Sequence, residues 1–384
     1  MKASNAANPF KFGALALDES FADREDELAE LTSDIRNGQD VVIFAPRRCG
    51  KSSLLWRAAS VLAAKRVLVA QVDLMTTPTK EGLAASLAKS IYEQIASPLE
   101  RAREKALTPF RGLQVQPEIN VNPEDGSFSF GFGVARRPAD IDATLERLLE
   151  LPAELGGARN RRTALVIDEF QEIVEVDSAL PKLLRAVFQR QPEVSHVYLG
   201  SKRHIMERIF NDANEPFWRS AKSIELGLID PVPFSAFIVE RFRASGKAVG
   251  PATAGEVLAR TGGHPYATQE LCYFLWERIP FGAEASAEQL DEALEAVLRS
   301  EHAHFSLLWE GASHVQRLVL GALAREPGRP FTAAYRLRHD LPPATNVQKA
   351  LAALSQREVV IGEAGAYRIA EPFLAEWLRE SLGP

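Results

Sequence analysis

Between residues 21 and 230 the chain alternates short apolar runs with amphipathic segments. The apolar runs lack polar alternation, which is typical of strands covered on both faces in a parallel sheet. Five strands are predicted from these runs, at 41–44, 67–73, 163–168, 194–200 and 223–226. Helices predicted from the amphipathic segments cover 21–38, 80–96, 141–155 and 180–189. The alternation therefore predicts an α/β fold built from βαβ units.

An insertion at about 99–140 has a different pattern. Apolar and polar residues alternate on both sides of Asp125-Gly126, and Phe128, Phe130 and Phe132 follow this pair. Alternation around an Asp-Gly pair predicts a β-hairpin with one aromatic face. The hairpin, 113–134, is either a lid packed on the sheet or a contact surface for a protein partner or a second copy of the chain.

The remaining residues are mostly helical by pattern. Four helices are predicted at 234–244, 252–261, 266–278 and 287–300. Further helices at 315–324, 333–338, 347–357 and 372–382 accompany two short strands at 359–361 and 367–369. Three helices with a two-stranded wing make a winged helix. We therefore predict three domains: a sheet domain at 1–230, a helical lid at 231–304 and a winged-helix domain at 305–384.

Composition restricts the class of protein. The chain has 384 residues, of which 46% are hydrophobic, and a formal net charge of −6. This content supports more than one core, and the acidic balance is unfavourable for a protein that coats nucleic acid nonspecifically. The two cysteines, Cys49 and Cys272, suit a reducing compartment. Neither a signal core nor an apolar run of ~20 residues is present, so we expect a cytoplasmic protein without a membrane partner.

The first predicted strand leads into Ala45-Pro46-Arg47-Arg48-Cys49-Gly50-Lys51-Ser52 and then a helix. This spacing is typical of a phosphate-binding loop, in which backbone N–H groups surround the phosphates. Gly50 lets the backbone approach, Lys51 supplies positive charge to the terminal phosphates, and Ser52 supplies a hydroxyl ligand for Mg²⁺. The segment predicts a nucleotide site.

Two adjacent acids, Asp168 and Glu169, end the buried strand at 163–168. Open α/β sheets bind ligands at the carboxyl ends of their strands. Asp168 is therefore the candidate acid on the magnesium side, and Glu169 is the candidate base that polarises the attacking water. With the loop, the pair indicates an ATPase-type site that uses ATP, ADP and Mg²⁺.

Three further places carry candidate residues with open alternatives. The tip Ser201-Lys202-Arg203 either senses the γ-phosphate, through Ser201 or Arg203, or is an ordinary strand end. Arg219 either stabilises developing phosphate charge or forms a structural ion pair. His264, between two glycines and Pro265, either faces a phosphate or is structural.

These motifs resemble the archaeal-type ATPases of the STAND group, the ATPase domain 2 family, which are relatives of AAA+ proteins. The similarity spans most of the chain and rests on the loop, on Ile167-Asp168-Glu169-Phe170, on Pro216-Phe217-Trp218-Arg219 and on Gly262-Gly263-His264-Pro265-Tyr266. Tyr367 and Trp377-Leu378-Arg379 resemble the terminal winged helix of that family.

The resemblance implies a five-stranded parallel P-loop NTPase sheet with a helical lid and a winged helix, acting as an ATP-controlled switch. It places Arg24 of an N-terminal Arg-Glu motif beside the adenine. It also extends the nucleotide-contacting set by these residues: Pro46, Arg47, Arg48, Cys49, Ser53 and Pro265.

The leading hypothesis is a Mg²⁺-dependent ATPase with slow turnover, whose nucleotide state sets the position of the lid and winged helix. The alternative is an initiator-like ATPase whose winged helix binds duplex DNA. A scaffold with vestigial hydrolysis is a third possibility, disfavoured by the intact Asp168 and Glu169. Phosphate neutralisation supplies much of DNA affinity, and the winged helix is nearly charge-balanced, so packing or protein contact is favoured over DNA.

Overall fold

The computed structural model describes residues 7–13, 21–95, 115–121, 128–134 and 141–383. These residues form two compact units. The sheet unit comprises Arg24–Pro46 and Leu54–Leu226. The helical unit comprises Arg47–Ser53, Gly227–Pro384 and the N-terminal segment as far as Asp23. The phosphate loop therefore belongs to the helical unit, although the residues on both sides of it in the chain belong to the sheet unit.

The elements from the first helix to the last strand of the sheet unit follow in chain order. They are α1 (Glu25–Asn37), β1 (Val41–Phe44), α2 (Lys51–Ala64), β2 (Leu68–Asp73), α3 (Lys80–Ile95), β3 (Val115–Val121), β4 (Phe128–Val134), α4 (Ile141–Arg159), β5 (Thr163–Asp168), α5 (Ile173–Val176), α6 (Leu180–Phe188), β6 (Val194–Gly200), α7 (Arg203–Asn211) and β7 (Lys222–Glu225). Two 3₁₀ turns cover Leu74–Thr76 and Phe170–Glu172.

Five of these strands form one parallel sheet in the order β2-β5-β6-β1-β7. Every residue of β1, β5 and β6 is buried, whereas the edge strand β7 buries one of its four. Helices on both faces of the central strands account for the unbroken apolar runs in the sequence. The predicted α/β fold with a five-stranded parallel sheet is confirmed.

The register brings the carboxyl ends of the central strands to one edge of the sheet. Phe44 of β1 pairs with Gly200 of β6, and Ile167 of β5 pairs with Tyr198 of β6. The segments that follow β5 and β6 are anchored by a buried aromatic cluster. Phe170 lies 4.7 Å from Tyr198 and 5.2 Å from Phe217 between ring centroids. The cluster therefore fixes the backbone directly after Asp168 and Glu169.

One helix is longer than predicted. The amphipathic pattern predicts a helix at 141–155, but α4 continues past Leu155 and ends at Arg159. Gly156 explains the extension, because a Cβ there would lie 2.4 Å from the Thr163 hydroxyl. Glycine allows the end of α4 to approach the start of β5 without a break in the helix.

The hairpin of the insertion is present as β3 and β4. The strands are antiparallel, with Ile119 opposite Phe130. The predicted turn at Asp125-Gly126 lies outside the described residues.

The helical unit contains the remaining elements. They are α8 (Pro231–Ala244), α9 (Pro251–Thr261), α10 (Pro265–Arg278), α11 (Ala287–Glu310), α12 (His314–Arg325), α13 (Ala333–Arg338), α14 (Ala344–Gln356), β8 (Val360–Glu363), β9 (Ala366–Ile369) and α15 (Pro372–Leu382). Among the described residues, no helix combines the length and the apolar content needed to cross a membrane.

Local capping explains where several of these helices begin. Ser286 and Ser313 each cap a helix through a reciprocal capping box, with Gln289 and Gln316 as the respective partners. Helix α11 continues beyond Ser300, where the predicted helix ended, because Phe305 is fully buried on the same helix. It therefore crosses the predicted boundary between lid and winged helix, and the three-domain division stays a prediction.

One apolar core runs through the lid helices and the winged helix. It includes Phe10 from the N-terminal segment, Phe234 and Leu271 from the lid, and Leu351 and Phe373 from the winged helix. The C-terminal block consists of helices α12, α13, α14 and α15 with the β8-β9 wing. This arrangement confirms the predicted winged-helix domain, and the shared core makes it continuous with the lid.

Candidate functional site

The loop after β1 is arranged to expose backbone N–H groups at the start of α2. Arg48 and Gly50 both have positive φ, of 61° and 85°. A Cβ on Gly50 would meet nothing within 4 Å, so the backbone conformation and not the available space requires glycine there. Helix α2 starts at Lys51, and its first N–H groups and dipole favour an anion at this end. The loop is therefore suited to bind phosphate.

The candidate residues for phosphate and metal, Lys51 and Ser52, lie where this loop ends and α2 begins. Lys51 and Ser53 are buried, and Ser52 is half-buried. A helix that begins at Lys51 places its first turn directly after the glycine, as the sequence motif requires. Pro46 and Cys49 lie in the same segment, between the end of β1 and the start of α2.

The loop arginines contact carboxylates of the winged helix. Arg47 forms an ion pair with Glu358, which lies between α14 and β8. The Arg48 guanidinium lies 3.1 Å from an Oε1 of Glu371, immediately before α15, and 4.3 Å from the ring centroid of Tyr266. Sequence reasoning assigned both arginines to the nucleotide and missed both glutamates.

His264 and Pro265 lie at the start of α10, next to the loop. The Ala267 N–H donates to His264 Nδ1 at 3.3 Å, so this ring nitrogen caps the helix. His264 Nε2 lies 4.0 Å from Cys49 Sγ. Burial and the nearby Arg368 and Arg48 lower the pKa of His264 to about 4.

His264 is consequently neutral near pH 7, with its proton on Nε2 because Nδ1 accepts the capping bond. His264 lies beside the loop, and its contact with a phosphate stays a prediction. A neutral Nε2–H directed at the loop is a hydrogen-bond donor without the positive charge of an imidazolium. Pro265 occupies the first helical turn, where its missing N–H costs no helix hydrogen bond.

In the sheet unit, Glu169 is held in one orientation by two donors. Ser201 Oγ donates to Glu169 Oε2 at 3.0 Å, and Gln171 Nε2 donates to the same oxygen at 2.5 Å. The Glu169 N–H donates to Asp168 Oδ1 at 2.9 Å. The backbone of Glu169 is left-handed, with φ 50° and ψ 44°. The structure therefore brings Asp168, Glu169, Gln171 and Ser201 together, and the role of Ser201 toward the γ-phosphate stays a prediction.

The candidate cations Arg203 and Arg219 both have exposed side chains. Arg203 is exposed and pairs with Glu207 and Glu225, whose carboxylates raise its pKa. Arg219 is exposed, with φ 50° and its guanidinium 5.4 Å from the Trp218 ring centroid.

Arg24 is buried directly before α1, and its guanidinium donates to Glu27 Oε1 at 2.7 Å. Neighbouring acids are thus already partners of Arg203 and Arg24, and this was not evident from their motifs.

A group of carboxylates surrounds Arg48 in the helical unit. Glu270 on α10 is fully buried, and burial, followed by the nearby Glu301 and Glu371, raises its pKa to about 8. Burial also raises the pKa of Glu371, while Arg48 opposes that shift. Arg48 is therefore the cation that partly offsets a crowded set of acids.

The candidate magnesium ligands have the chemistry that the ion prefers. Ser52 offers a hydroxyl oxygen and Asp168 a carboxylate, and Mg²⁺ prefers such hard oxygen ligands while keeping several waters. Among the residues that the structure describes, no group of three or more His, Cys, Asp or Glu side chains could hold a metal ion. A Mg²⁺ bound with nucleotide needs only one or two protein ligands, so its binding by Ser52 and Asp168 stays a prediction.

Comparison with protein families gives two matches along the chain. A family model described as an ATPase domain predominantly from Archaea matches residues 21–271. The chain belongs to this family. A second model, described as a probable winged helix domain, matches residues 303–380. No curated protein matches the chain.

Solved structures agree with this family at the level of the fold. A Walker-type ATPase of Pyrococcus abyssi superposes with a TM-score of 0.66 and 19% identity, over 96% of this chain and 99% of that one. The ORC2 protein of Aeropyrum pernix, in complexes with ADPNP and ADP, has a TM-score of 0.58 and 15% identity, over 97% of this chain and 96% of its own. The predicted family and fold are thus confirmed.

Proposed function

We propose that this member of the family is a magnesium-dependent, ATP-hydrolysing switch of the STAND type, in which the bound nucleotide controls the lid and winged helix. One observation carries the proposal. The phosphate loop has contacts with both parts, through His264 of the lid and through Glu358 and Glu371 of the winged helix. A change of nucleotide on this loop therefore reaches both parts by direct contact.

The binding roles follow from the chemistry of each side chain. The N–H groups at the start of α2 and the Lys51 ammonium bind the phosphates, which concentrate negative charge. A bound magnesium ion would neutralise phosphate oxygens, with Ser52 and Asp168 as its protein ligands. The adenine is proposed to contact Arg24. The phosphates are proposed to contact His264, and Pro265 is a further proposed contact of the nucleotide.

Hydrolysis is assigned to Glu169 as the base that orients water. Ser201 and Gln171 donate to its Oε2, which holds the carboxylate in place. Arg203 and Arg219 are proposed to stabilise phosphate charge. Arg203 would have to leave Glu207 and Glu225 to do so, which is consistent with slow turnover.

A switch of this kind has two conformational states. ATP and ADP must differ in how strongly each of them favours one state over the other. A ligand shifts a conformational equilibrium only by its differential affinity for the two states. Turnover need not be fast, because the nucleotide state and not the product is the output.

Titration calorimetry and thermal unfolding with Mg-ATP and Mg-ADP test the proposal. Ligand at ~100 times the dissociation constant should stabilise the folded protein by ~2.7 kcal/mol. Lys51→Ala should remove both the binding heat and the shift. Lys65→Ala, in the exposed turn after α2, is the matched control and should retain both. Absence of binding heat in the wild-type protein would refute the proposed function.

A further inference from the structure

Two consecutive residues of the phosphate loop form ion pairs with the winged helix. Arg47 pairs with Glu358 and Arg48 with Glu371, and these glutamates lie more than 300 positions further along the chain. The glutamate side chains are 17% and 21% exposed, against 59% and 42% for the arginines. The carboxylates therefore belong to the packed surface of the winged helix, while the arginines extend from the loop to reach them.

Arg48 is held in a backbone conformation that an unrestrained arginine disfavours. Its φ of 61° lies in the left-handed region, which is unfavourable for a residue with a Cβ. With Gly50 at φ 85°, the loop has the alternating left-handed geometry that turns successive N–H groups toward an anion. The contacts of the Arg48 side chain with Glu371 and Tyr266 act on the residue that sets this geometry.

The winged helix can act as a rigid anchor because it shares one apolar core with the lid. Phe305 on α11, Leu351 on α14 and Phe373 on α15 all belong to that core. Tyr266, which contacts Arg48, starts α10 in the same unit. A single exposed ion pair contributes little, but two adjacent pairs and a cation–π contact on one short loop restrict it together.

We propose that Glu358 and Glu371 are positioning residues for nucleotide binding: they hold the phosphate loop, through Arg47 and Arg48, in its phosphate-receptive conformation. We call the ion pairs Arg47–Glu358 and Arg48–Glu371 the clamp. A preorganised loop loses less entropy on binding, so the affinity for nucleotide is higher with the clamp intact. By linkage, bound nucleotide strengthens the hold of the winged helix on the loop by the same factor. This inference rests on the proposed function and names the contact through which nucleotide and winged helix are coupled.

The clamp is tested first without nucleotide. Hydrogen exchange of the loop amides at 47–52 is compared among the wild type, the double variant Glu358→Gln/Glu371→Gln, and Glu363→Gln, which changes an exposed glutamate on the wing. The double variant should exchange these amides at least about fivefold faster, within the range of 5 to 150-fold typical of coupled sites. Equal exchange in all three proteins would overturn the proposal.

Nucleotide affinity is tested in the same three proteins by calorimetry. The double variant should bind ATP about tenfold or more weakly, while Glu363→Gln matches the wild type. A double-mutant cycle of Arg48→Gln and Glu371→Gln should be strongly non-additive, because either change alone releases the same contact. A merely structural role would instead lower the unfolding temperature without non-additivity in affinity.

The outcomes separate this inference from the proposed function. Faster loop exchange in a protein that binds no nucleotide would leave the clamp standing and refute the proposed function. Wild-type affinity in the double variant, or additive effects in the cycle, would refute the positioning role while the ATPase proposal stands.

Discussion

Glu169, the proposed base, shows how a single residue is restrained by its neighbours. Its left-handed backbone is strained for a residue with a Cβ, and such strain persists where surrounding contacts determine the conformation. Here the next residue, Phe170, is fully buried in the aromatic cluster, and Ser201 and Gln171 fix the carboxylate. The side chain is consequently restrained at the backbone and at its oxygen atoms.

At this scale, Glu169→Gln should spare ATP binding and lower the hydrolysis rate by ~10²-fold or more, the usual range for loss of a general base. The amide keeps the shape of the side chain but cannot accept a proton from water. Phosphate release under saturating ATP measures the rate, and calorimetry measures binding. Glu172→Gln, which loses the ion pair with Lys202, is the matched control and should hydrolyse ATP normally. Wild-type turnover in Glu169→Gln would show that another group is the base.

Residues of the candidate site differ in how far sequence could identify them. Lys51, Ser52, Asp168 and Glu169 lie in compact motifs whose spacing reflects local geometry. Gln171 follows the acidic pair by two positions, but no pattern marks it as a donor to Glu169. Its proximity to Glu169 depends on the 3₁₀ turn at Phe170–Glu172, which the apolar run does not predict.

At the scale of elements, α10 has an N-cap next to the phosphate loop and a buried acid further along the helix. His264 caps its first turn, and Glu270, further along the helix, is fully buried near Glu301 of α11. Burial, followed by the nearby Glu301 and Glu371, raises the pKa of Glu270 from 4.5 to about 8. The packing of α10 therefore depends on a proton at neutral pH.

This protonation predicts a pH-dependent stability. A carboxyl with a raised folded pKa keeps its proton in the folded protein while the unfolded chain releases it, so stability falls as pH rises from about 4.5 through about 8. One such group lowers the free energy of unfolding by up to ~1.4 kcal/mol per pH unit in that window.

Chemical denaturation at several pH values measures this dependence in wild type, Glu270→Gln and Glu277→Gln. Glu277 is exposed on the same helix. The loss of stability between pH 5 and 8 should shrink in Glu270→Gln, because an amide has no proton to release, and should persist in Glu277→Gln. An unchanged slope in Glu270→Gln would assign the dependence to other groups.

At the scale of the whole molecule, the chain crosses between its two units at the phosphate loop. Segments 24–46 and 54–226 belong to the sheet unit, while 47–53 belongs to the unit that contains the lid and winged helix. The predicted sheet domain at 1–230 follows chain order, whereas the compact units follow contacts. The phosphate loop is therefore part of the same compact unit as the winged helix.

The winged helix could also bind duplex DNA, and its surface gives an expectation. The exposed side of α14 carries polar residues with one cation, Lys349, and the wing adds Glu363. We expect weak binding to duplex DNA at physiological salt, with a shallow salt dependence, because each neutralised phosphate contributes a slope of about −0.9. Mobility-shift titrations at several salt concentrations, with Lys349→Gln for comparison, measure this slope. Tight binding with a steep slope would favour the initiator-like alternative.

The sequence alone determined the elements and motifs whose cause is local. Apolar runs specify buried strands, capping residues start helices, and the spacing of Gly50, Lys51 and Ser52 reflects one turn between a strand and a helix. Even the winged helix was predictable, because its helices and wing are consecutive in the chain.

Only the tertiary structure decided which distant residues meet. The pairing of Arg47 with Glu358 and of Arg48 with Glu371, and the burial of Glu270 beside Glu301, join positions with no regular spacing between them. Such contacts depend on how helices pack in a shared core. The period of apolar residues identifies the buried face of a helix but not the distant residues that this face meets. The charges that tune the phosphate loop were therefore visible only once the chain was folded.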